Sequence, residues 1–174
     1  MKKVHGMKIH VARLRVPLLG VIHIAATAHG VLRVCLADDG EGLADELRAR
    51  WPGAVLKRGG GLTIDAGREI RRYLAGGPDP DVPTVLGPDG FSPRVWHAIA
   101  RIPRGQVRSY ARIARSLRKP QAARAVGQAC GRNPVPLVIP CHRVVASDRT
   151  LGGFTGGLDV KRKLLALEGV SLAR

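Results

Sequence analysis

Cys141 stands directly before His142 in the run Ile139-Pro140-Cys141-His142-Arg143-Val144. A thiolate, not a thiol, is the sulfur nucleophile, and a basic or cationic neighbour makes thiolate accessible near neutral pH. Cys141 has two such neighbours, His142 and Arg143. The competing reading is a small core residue, because the flanking residues Val135-Pro136-Leu137-Val138 and Val144-Val145 are apolar. Apolar flanks of this kind predict an extended segment with Cys141 inside it.

Charge supports a site rather than a plain core. The net charge is +16, and it is unevenly spread. Residues 1–90 hold 13 Lys/Arg against 10 Asp/Glu, whereas residues 91–174 hold 16 against 3. Between Gly90 and Ser147 there are eleven basic residues and no carboxylate. Solvated surfaces normally mix both signs, so a one-sign stretch is the electrostatic footprint for a polyanion. The three cysteines, Cys35, Cys130 and Cys141, are too few and too scattered for a disulfide framework or a paired zinc motif. That usage fits a reducing cytoplasm. No apolar run approaches the ~20 residues of a membrane span, and no signal peptide is legible.

The elements that must position Cys141 follow from patterning. Ile9 to Val16 and Gly20 to Ala37 alternate in polarity, with a turn at Ala28-His29-Gly30. Asp38-Asp39-Gly40 offers caps for a helix near Glu41–Trp51, and Val55 to Lys57 reads as a short strand. Thr63 or Asp65 is the expected cap of a helix ending at Leu74, with Leu62, Ala66, Ile70, Tyr73 and Leu74 on one face. Gly, Pro and Asp then dominate up to Gly90, as in a connection between domains. Ser92-Pro93 opens the next expected helix, Ser109 caps another, and a small-residue helix runs from Gln121 to about Cys130. The last two form a plausible helix-turn-helix. A glycine-rich loop at 151–157 lacks the Lys-Ser/Thr of a phosphate-binding loop, and a final helix spans about Asp159 to Glu168. The chain thus divides into an α/β domain at 1–80, a linker at 81–90 and a mostly helical domain at 91–174.

The C-terminal motifs resemble one family, the 6-O-alkylguanine-DNA alkyltransferases, or methylated-DNA–protein-cysteine methyltransferases. The resemblance rests on Val95-Trp96, Ile102-Pro103-Arg104-Gly105, Ser109-Tyr110, Arg124-Ala125-Val126-Gly127, Asn133-Pro134, Pro140-Cys141-His142-Arg143-Val144, Gly152-Gly153-Phe154 and Glu168-Gly169, in that order. It implies an α/β (α+β) fold whose N-terminal domain is RNase H-like. It implies a DNA-repair methyltransferase that flips 6-O-methylguanine, or 4-O-methylthymine, out of duplex DNA. The alkyl group passes irreversibly to Cys141 in a single-turnover reaction that needs no cofactor.

Residue roles follow from the same resemblance. Cys141 is the nucleophile, His142 takes its proton through a water, and Glu168 orients His142. Asn133 is a buried hydrogen-bonding residue, and Tyr110 donates a proton or hydrogen bond to the departing base. Val144, Phe154, Thr155 and Gly156 line the substrate. Arg124 fills the vacated stack, and Ser109, Ala123, Ala125, Gly127 and Arg132 meet the DNA in its minor groove. The partner is double-stranded DNA, bound by a monomer, with no membrane. Cys35, His23 and His29 do not make a convincing zinc set, so no metal is expected. Two departures stand out: Phe154 replaces a frequent tyrosine, and Arg149 replaces a frequent glycine. Competing readings are a damage-binding relative without activity, a helix-turn-helix regulator with a structural cysteine, and a cysteine hydrolase.

Overall fold

The structure is a computed structural model that describes residues 6–172. β1 (Lys8–Val16), β2 (Gly20–Thr27) and β3 (Gly30–Cys35) form an antiparallel meander. α1 (Gly40–Arg50) then crosses over, so that β4 (Val55–Arg58) pairs parallel to β1. The sheet order is β3-β2-β1-β4. Ile9, Ala25 and Leu32 face α1 through Leu43 and Leu47. Ile22, Ile24, Ala26, Val31 and Val34 face the other way, into the main core. α2 (Leu62–Leu74) covers that second face with Ala66, Ile70, Tyr73 and Leu74.

The second half is mostly helical: α3 (Phe91–Ala100), α4 (Tyr110–Ser116), α5 (Ala123–Gly131) and α6 (Leu158–Leu167). A two-stranded sheet joins β5 (Arg108–Ser109) to β6 (Val144–Val145) in parallel. A 3₁₀ turn at Pro120–Ala122 connects α4 to α5, giving the helix-turn-helix. The main core is shared: Val95, Trp96, Ile99 and Leu164 from this half join the sheet residues in one cluster. The fold class is α+β, as expected.

Several local expectations are corrected. Neither Thr63 nor Asp65 caps α2: Gly61 holds the cap position, and the Thr63 hydroxyl donates to the Gly60 carbonyl at 2.7 Å. α3 begins at Phe91 with Gly90 at the cap position, two residues ahead of the expected Ser92 cap. Asp39 and Ser109 do cap their helices, accepting from the amides of Gly42 and Arg112.

The expected extended segment around Cys141 is also corrected. Pro134, Pro136 and Pro140 remove three donors that a ladder would need, so residues 133–140 fold as turns. Cys141–Arg143 is a 3₁₀ turn, and only Val144–Val145 remains strand.

The Gly- and Pro-rich connection is pinned rather than free. The Val31 amide donates to Pro83 at 2.8 Å, and the Val85 amide donates back to Val31 at 2.9 Å. Gly30 is required there: a Cβ would lie 2.9 Å from the Pro83 oxygen. Further along, the Val34 amide donates to the Pro134 carbonyl at 2.8 Å. The outer edge of β3 is therefore paired by two segments from later in the chain.

Arg149 adopts a left-handed backbone, with φ of 66°, in an exposed turn. This is the conformation that glycine tolerates and other L-residues adopt at a cost. Arg149→Gly is expected to raise stability by about 0.5–1 kcal/mol, strain relief exceeding the added freedom of the unfolded chain. Urea unfolding of the two proteins, with Arg149→Ala as a control that gains nothing, checks this.

Candidate active site

Cys141 opens the 3₁₀ turn behind Pro140 and is 5 % exposed. Its sulfur accepts a hydrogen bond from Asn133 Nδ2 at 3.1 Å. Asn133 is itself held on both sides: Nδ2 also donates to the Ile139 carbonyl at 2.8 Å, and Oδ1 accepts from the Val135 amide at 3.1 Å. These bonds shape the turns between α5 and Cys141 and aim one amide proton at the sulfur. Asn133→Ala is expected to cost about 1–3 kcal/mol, because the Val135 amide loses its partner in the interior. It is also expected to raise the pH at which the Cys141 thiol ionises. Thermal unfolding and the pH dependence of Cys141 alkylation by iodoacetamide check both effects.

His142 is fully buried, and its Nε2 lies 2.9 Å from Glu168 Oε1. The Tyr73 hydroxyl, from α2, donates to the same Glu168 oxygen at 2.6 Å and sits 3.2 Å from His142 Nε2. Arg143 donates to Glu168 at 2.8 and 3.0 Å and to Asp79 Oδ2 at 2.8 Å, and also caps the Ile102 carbonyl at 2.7 Å. Glu168 ends α6 and so gathers three buried donors onto one carboxylate. His142 Nδ1 has no hydrogen-bond partner among the described residues. With Nε2–H donated to Glu168, Nδ1 carries the free lone pair of a base.

The electrostatics favour a neutral resting pair. Burial pushes the Cys141 thiol up, against the Asn133 hydrogen bond and the charge of Lys161. Burial pushes His142 down, and the Glu168 hydrogen bond and charge oppose it. Burial alone would raise Glu168, but hydrogen bonds from His142, Arg143 and Tyr73 outweigh it and hold the carboxyl well below its usual range. A thiol, an imidazole whose charged form is disfavoured and a carboxylate make a set of groups that can relay a proton.

A cavity of about 660 Å³ opens over the sulfur, within the size range of small-molecule sites. It is lined by Tyr110, Arg124, Gly127, Cys141, Phe154 and Thr155, among others. The structure therefore gathers seven of the fifteen expected residues, Ala123 included, around one space. The Tyr110 hydroxyl faces the Gly153 carbonyl at 3.4 Å, and burial pushes its pKa up. Gly152 has φ of 64°, and a Cβ there would meet that hydroxyl at 2.8 Å, so the loop can pass only as glycine.

The Thr155 hydroxyl donates to the Gly131 carbonyl at the end of α5. Gly156 lies behind Phe154, where a Cβ would clash with Phe154 and Leu36. Val144 is fully buried, and its carbonyl accepts from Lys161. Arg124 is exposed on α5, and Ala123, Ala125 and Gly127 are half-buried there. Ser109 is the α4 cap, and Arg132 is exposed at the end of α5, reaching Ser92 at 3.5 Å. Among the described residues, no group of three or more His, Cys, Asp or Glu could hold a metal ion. No helix there is long and apolar enough to cross a membrane.

Sequence reasoning missed Tyr73, Asp79 and Lys161 and gave Arg143 no structural role. Tyr73 shares its helix face with Ile70 and Leu74, the ordinary place of a core tyrosine. Lys161 carried a signal: its spacing from Leu164, Leu165 and Glu168 puts a lysine on the buried face of α6. Asp79, in a Gly-Pro-Asp connection, carried none.

The fold and site together define a protein that presents a buried cysteine, with a histidine–glutamate pair, beside a helix-turn-helix. Residues 90–170 match the family described as 6-O-methylguanine DNA methyltransferase, DNA binding domain. The inducible methylated-DNA–protein-cysteine methyltransferase of Bacillus subtilis is 38% identical over 148 residues, covering 84% of this chain and 83% of that one. A methylated-DNA–protein-cysteine methyltransferase of Methanosarcina acetivorans is 42% identical over 107 residues, 60% of this chain and 68% of its own. The crystal structure of Mycobacterium tuberculosis O6-methylguanine methyltransferase superposes with a TM-score of 0.77 at 33% identity, covering 92% of both chains. Mycobacterium tuberculosis OGT in complex with DNA gives 0.76 at 32% identity, over 91% of this chain and 92% of that one. This chain belongs to the methylated-DNA–protein-cysteine methyltransferase family.

Proposed function

We propose that this protein repairs alkylated duplex DNA by moving the alkyl group of 6-O-methylguanine, and also of 4-O-methylthymine, onto its own Cys141. The observation that carries the reading is the Cys141 sulfur, held by Asn133, beside the buried His142–Glu168 pair and under a cavity that opens against α5. The base is flipped out of the stack into that cavity, at a cost of a few kcal/mol in lost stacking. The Cys141 proton passes to His142 Nδ1 through a water, and the imidazolium is balanced by Glu168. Sulfur attacks the alkyl carbon as the carbon–oxygen bond breaks. The electron pair goes to the base, which takes a proton from Tyr110 and leaves as neutral guanine; solvent reprotonates Tyr110 as the imidazolium gives its proton back to solvent. The thioether has no route back to thiol, so each molecule acts once, and no cofactor enters because the acceptor is the protein.

On the DNA side, α5 enters the minor groove with Ala123, Ala125 and Gly127, whose small side chains suit its narrowness. Arg124 fills the gap left by the flipped base, and Ser109 and Arg132 contact the backbone. Val144, Phe154, Thr155 and Gly156 shape the base pocket. The protein acts as a monomer in the cytoplasm, as an N-terminal domain at 1–80, a linker at 81–90 and a DNA-binding and transfer domain at 91–174.

Intact-protein mass spectrometry after incubation with a duplex carrying one 6-O-methylguanine tests this reading. One methyl group per molecule, mapped to the Cys141 peptide, is expected. Tight binding of that duplex with no mass change would leave a damage-binding protein instead.

A further inference from the structure

We propose that Lys161 is a positioning residue for alkyl transfer, its buried ammonium fastening the substrate loop to the turn that carries Cys141. The inference rests on the alkyltransferase reading and extends it to a residue outside the nucleophile–base–carboxylate set.

The geometry is specific. Lys161 projects from α6 and is fully buried. Its Nζ donates to the Val144 carbonyl at 2.5 Å, to the Leu151 carbonyl, and to the Gly153 carbonyl at 3.2 Å. Those three acceptors satisfy the three donors of an ammonium. Val144 immediately follows the Cys141–Arg143 turn. Leu151 and Gly153 flank Gly152, the residue whose backbone lies against Tyr110. One side chain therefore joins the nucleophile's turn to the loop that walls its cavity.

The charge is costly where it sits. Burial pushes Lys161 down to about 8, and no carboxylate is among its hydrogen-bond partners. An apolar side chain of similar length would fill the same space without that cost. What the ammonium adds is a cation facing the thiols of Cys141 and Cys130 and the imidazole of His142. It favours the Cys141 thiolate and the neutral His142 that proton transfer requires.

Lys161→Met removes the charge and the donors but keeps the length, and Lys161→Gln keeps two donors without charge. Single-turnover transfer is measured at saturating methylated duplex, with duplex affinity measured separately. The Met variant is expected to lose about 100-fold in rate, the scale of a displaced reacting group, with affinity held within about threefold. The Gln variant is expected to recover part of the rate, while iodoacetamide labelling of Cys141 shifts to higher pH in both. A folded Met variant that transfers within about threefold of wild type, or whose loss lies wholly in affinity, overturns the inference.

Should the Met variant fail to fold, hydrogen exchange on the unaltered protein decides. Amides at 151–157 are expected to lose protection beyond the ordinary base-catalysed trend as pH rises past about 8, where Lys161 gives up its proton. Loop amides that follow the trend of the core overturn it. A wild-type protein that transfers no methyl group would instead overturn the alkyltransferase reading itself.

Discussion

Cys141→Ala is expected to abolish methyl transfer completely while leaving binding of the methylated duplex within about threefold of wild type, since phosphate contacts rather than the sulfur supply most of the affinity. The variant should fold. Asn133 Nδ2 keeps the Ile139 carbonyl when the sulfur is gone, and only the N–H aimed at the sulfur loses its weak acceptor, so the change costs about 1–3 kcal/mol. Cys130 lines the same cavity and is the other sulfur that could accept an alkyl group there. Burial pushes its thiol up to about 12, so it holds almost no thiolate near neutrality. Peptide mapping of the variant after long incubation with substrate separates the two. A methyl group found on Cys130 would reassign the nucleophile, and an unmodified chain would leave Cys141 as the acceptor.

Glu168→Gln is the second large effect, and it falls on stability and chemistry together. The carboxylate receives Tyr73, His142 and Arg143 in the interior. An amide cannot accept from all three, and Arg143 keeps only the partly exposed Asp79 as counter-ion. Breaking a buried pair by removing one partner costs about 3–5 kcal/mol. Transfer should slow by about 10²–10⁴, the range for losing general acid–base assistance.

The pH dependence has a definite sign. The folded pKa of Glu168 is depressed, so its contribution is complete above the unfolded value of about 4.3 and is lost as pH falls through the folded value. The stability gap between wild type and Glu168→Gln should therefore be widest near neutral pH and narrow under acid. Urea unfolding across pH 3–7 measures it. A gap that stays constant throughout that range would show that the carboxylate charge is not what holds the three donors.

The places where sequence reading succeeded and failed have a common physical basis. Strands β1 to β3, the helices and the Asp39 and Ser109 caps were legible because local patterning and capping chemistry act over a few residues. The caps of α2 and α3 were not, because glycine backbones at Gly61 and Gly90 took over a task that Thr63 and Ser92 could have performed. The run into Cys141 looked like a strand because its composition is apolar. Three prolines decided otherwise, and they cost the ladder donors whatever the hydropathy.

Cys141 and His142 stood out from their adjacency, whereas Asn133 and Glu168 were legible only through the resemblance, since nothing local ties Glu168 to a histidine 26 positions earlier. The supporting groups escaped for a different reason. Tyr73 comes from the first half of the chain, whose sequence carries little family signal, and reads as an ordinary core tyrosine. Its contact with Glu168 exists only because one core joins both halves.

The paired outer edge of β3 has a consequence for synthesis. The first half of the chain leaves the ribosome with its meander complete but with the Val31 and Val34 amides bare. A free strand edge is a template for pairing with another chain. The Pro83–Val85 segment arrives soon afterwards and covers Val31; Val34 waits until Pro134 has been made and folded back. The nascent chain therefore carries an adhesive edge for most of its elongation. The last portion of that edge closes as Pro134, in the turns beneath Cys141, folds back, so a chain whose edge is fully closed has also formed the cradle of Cys141.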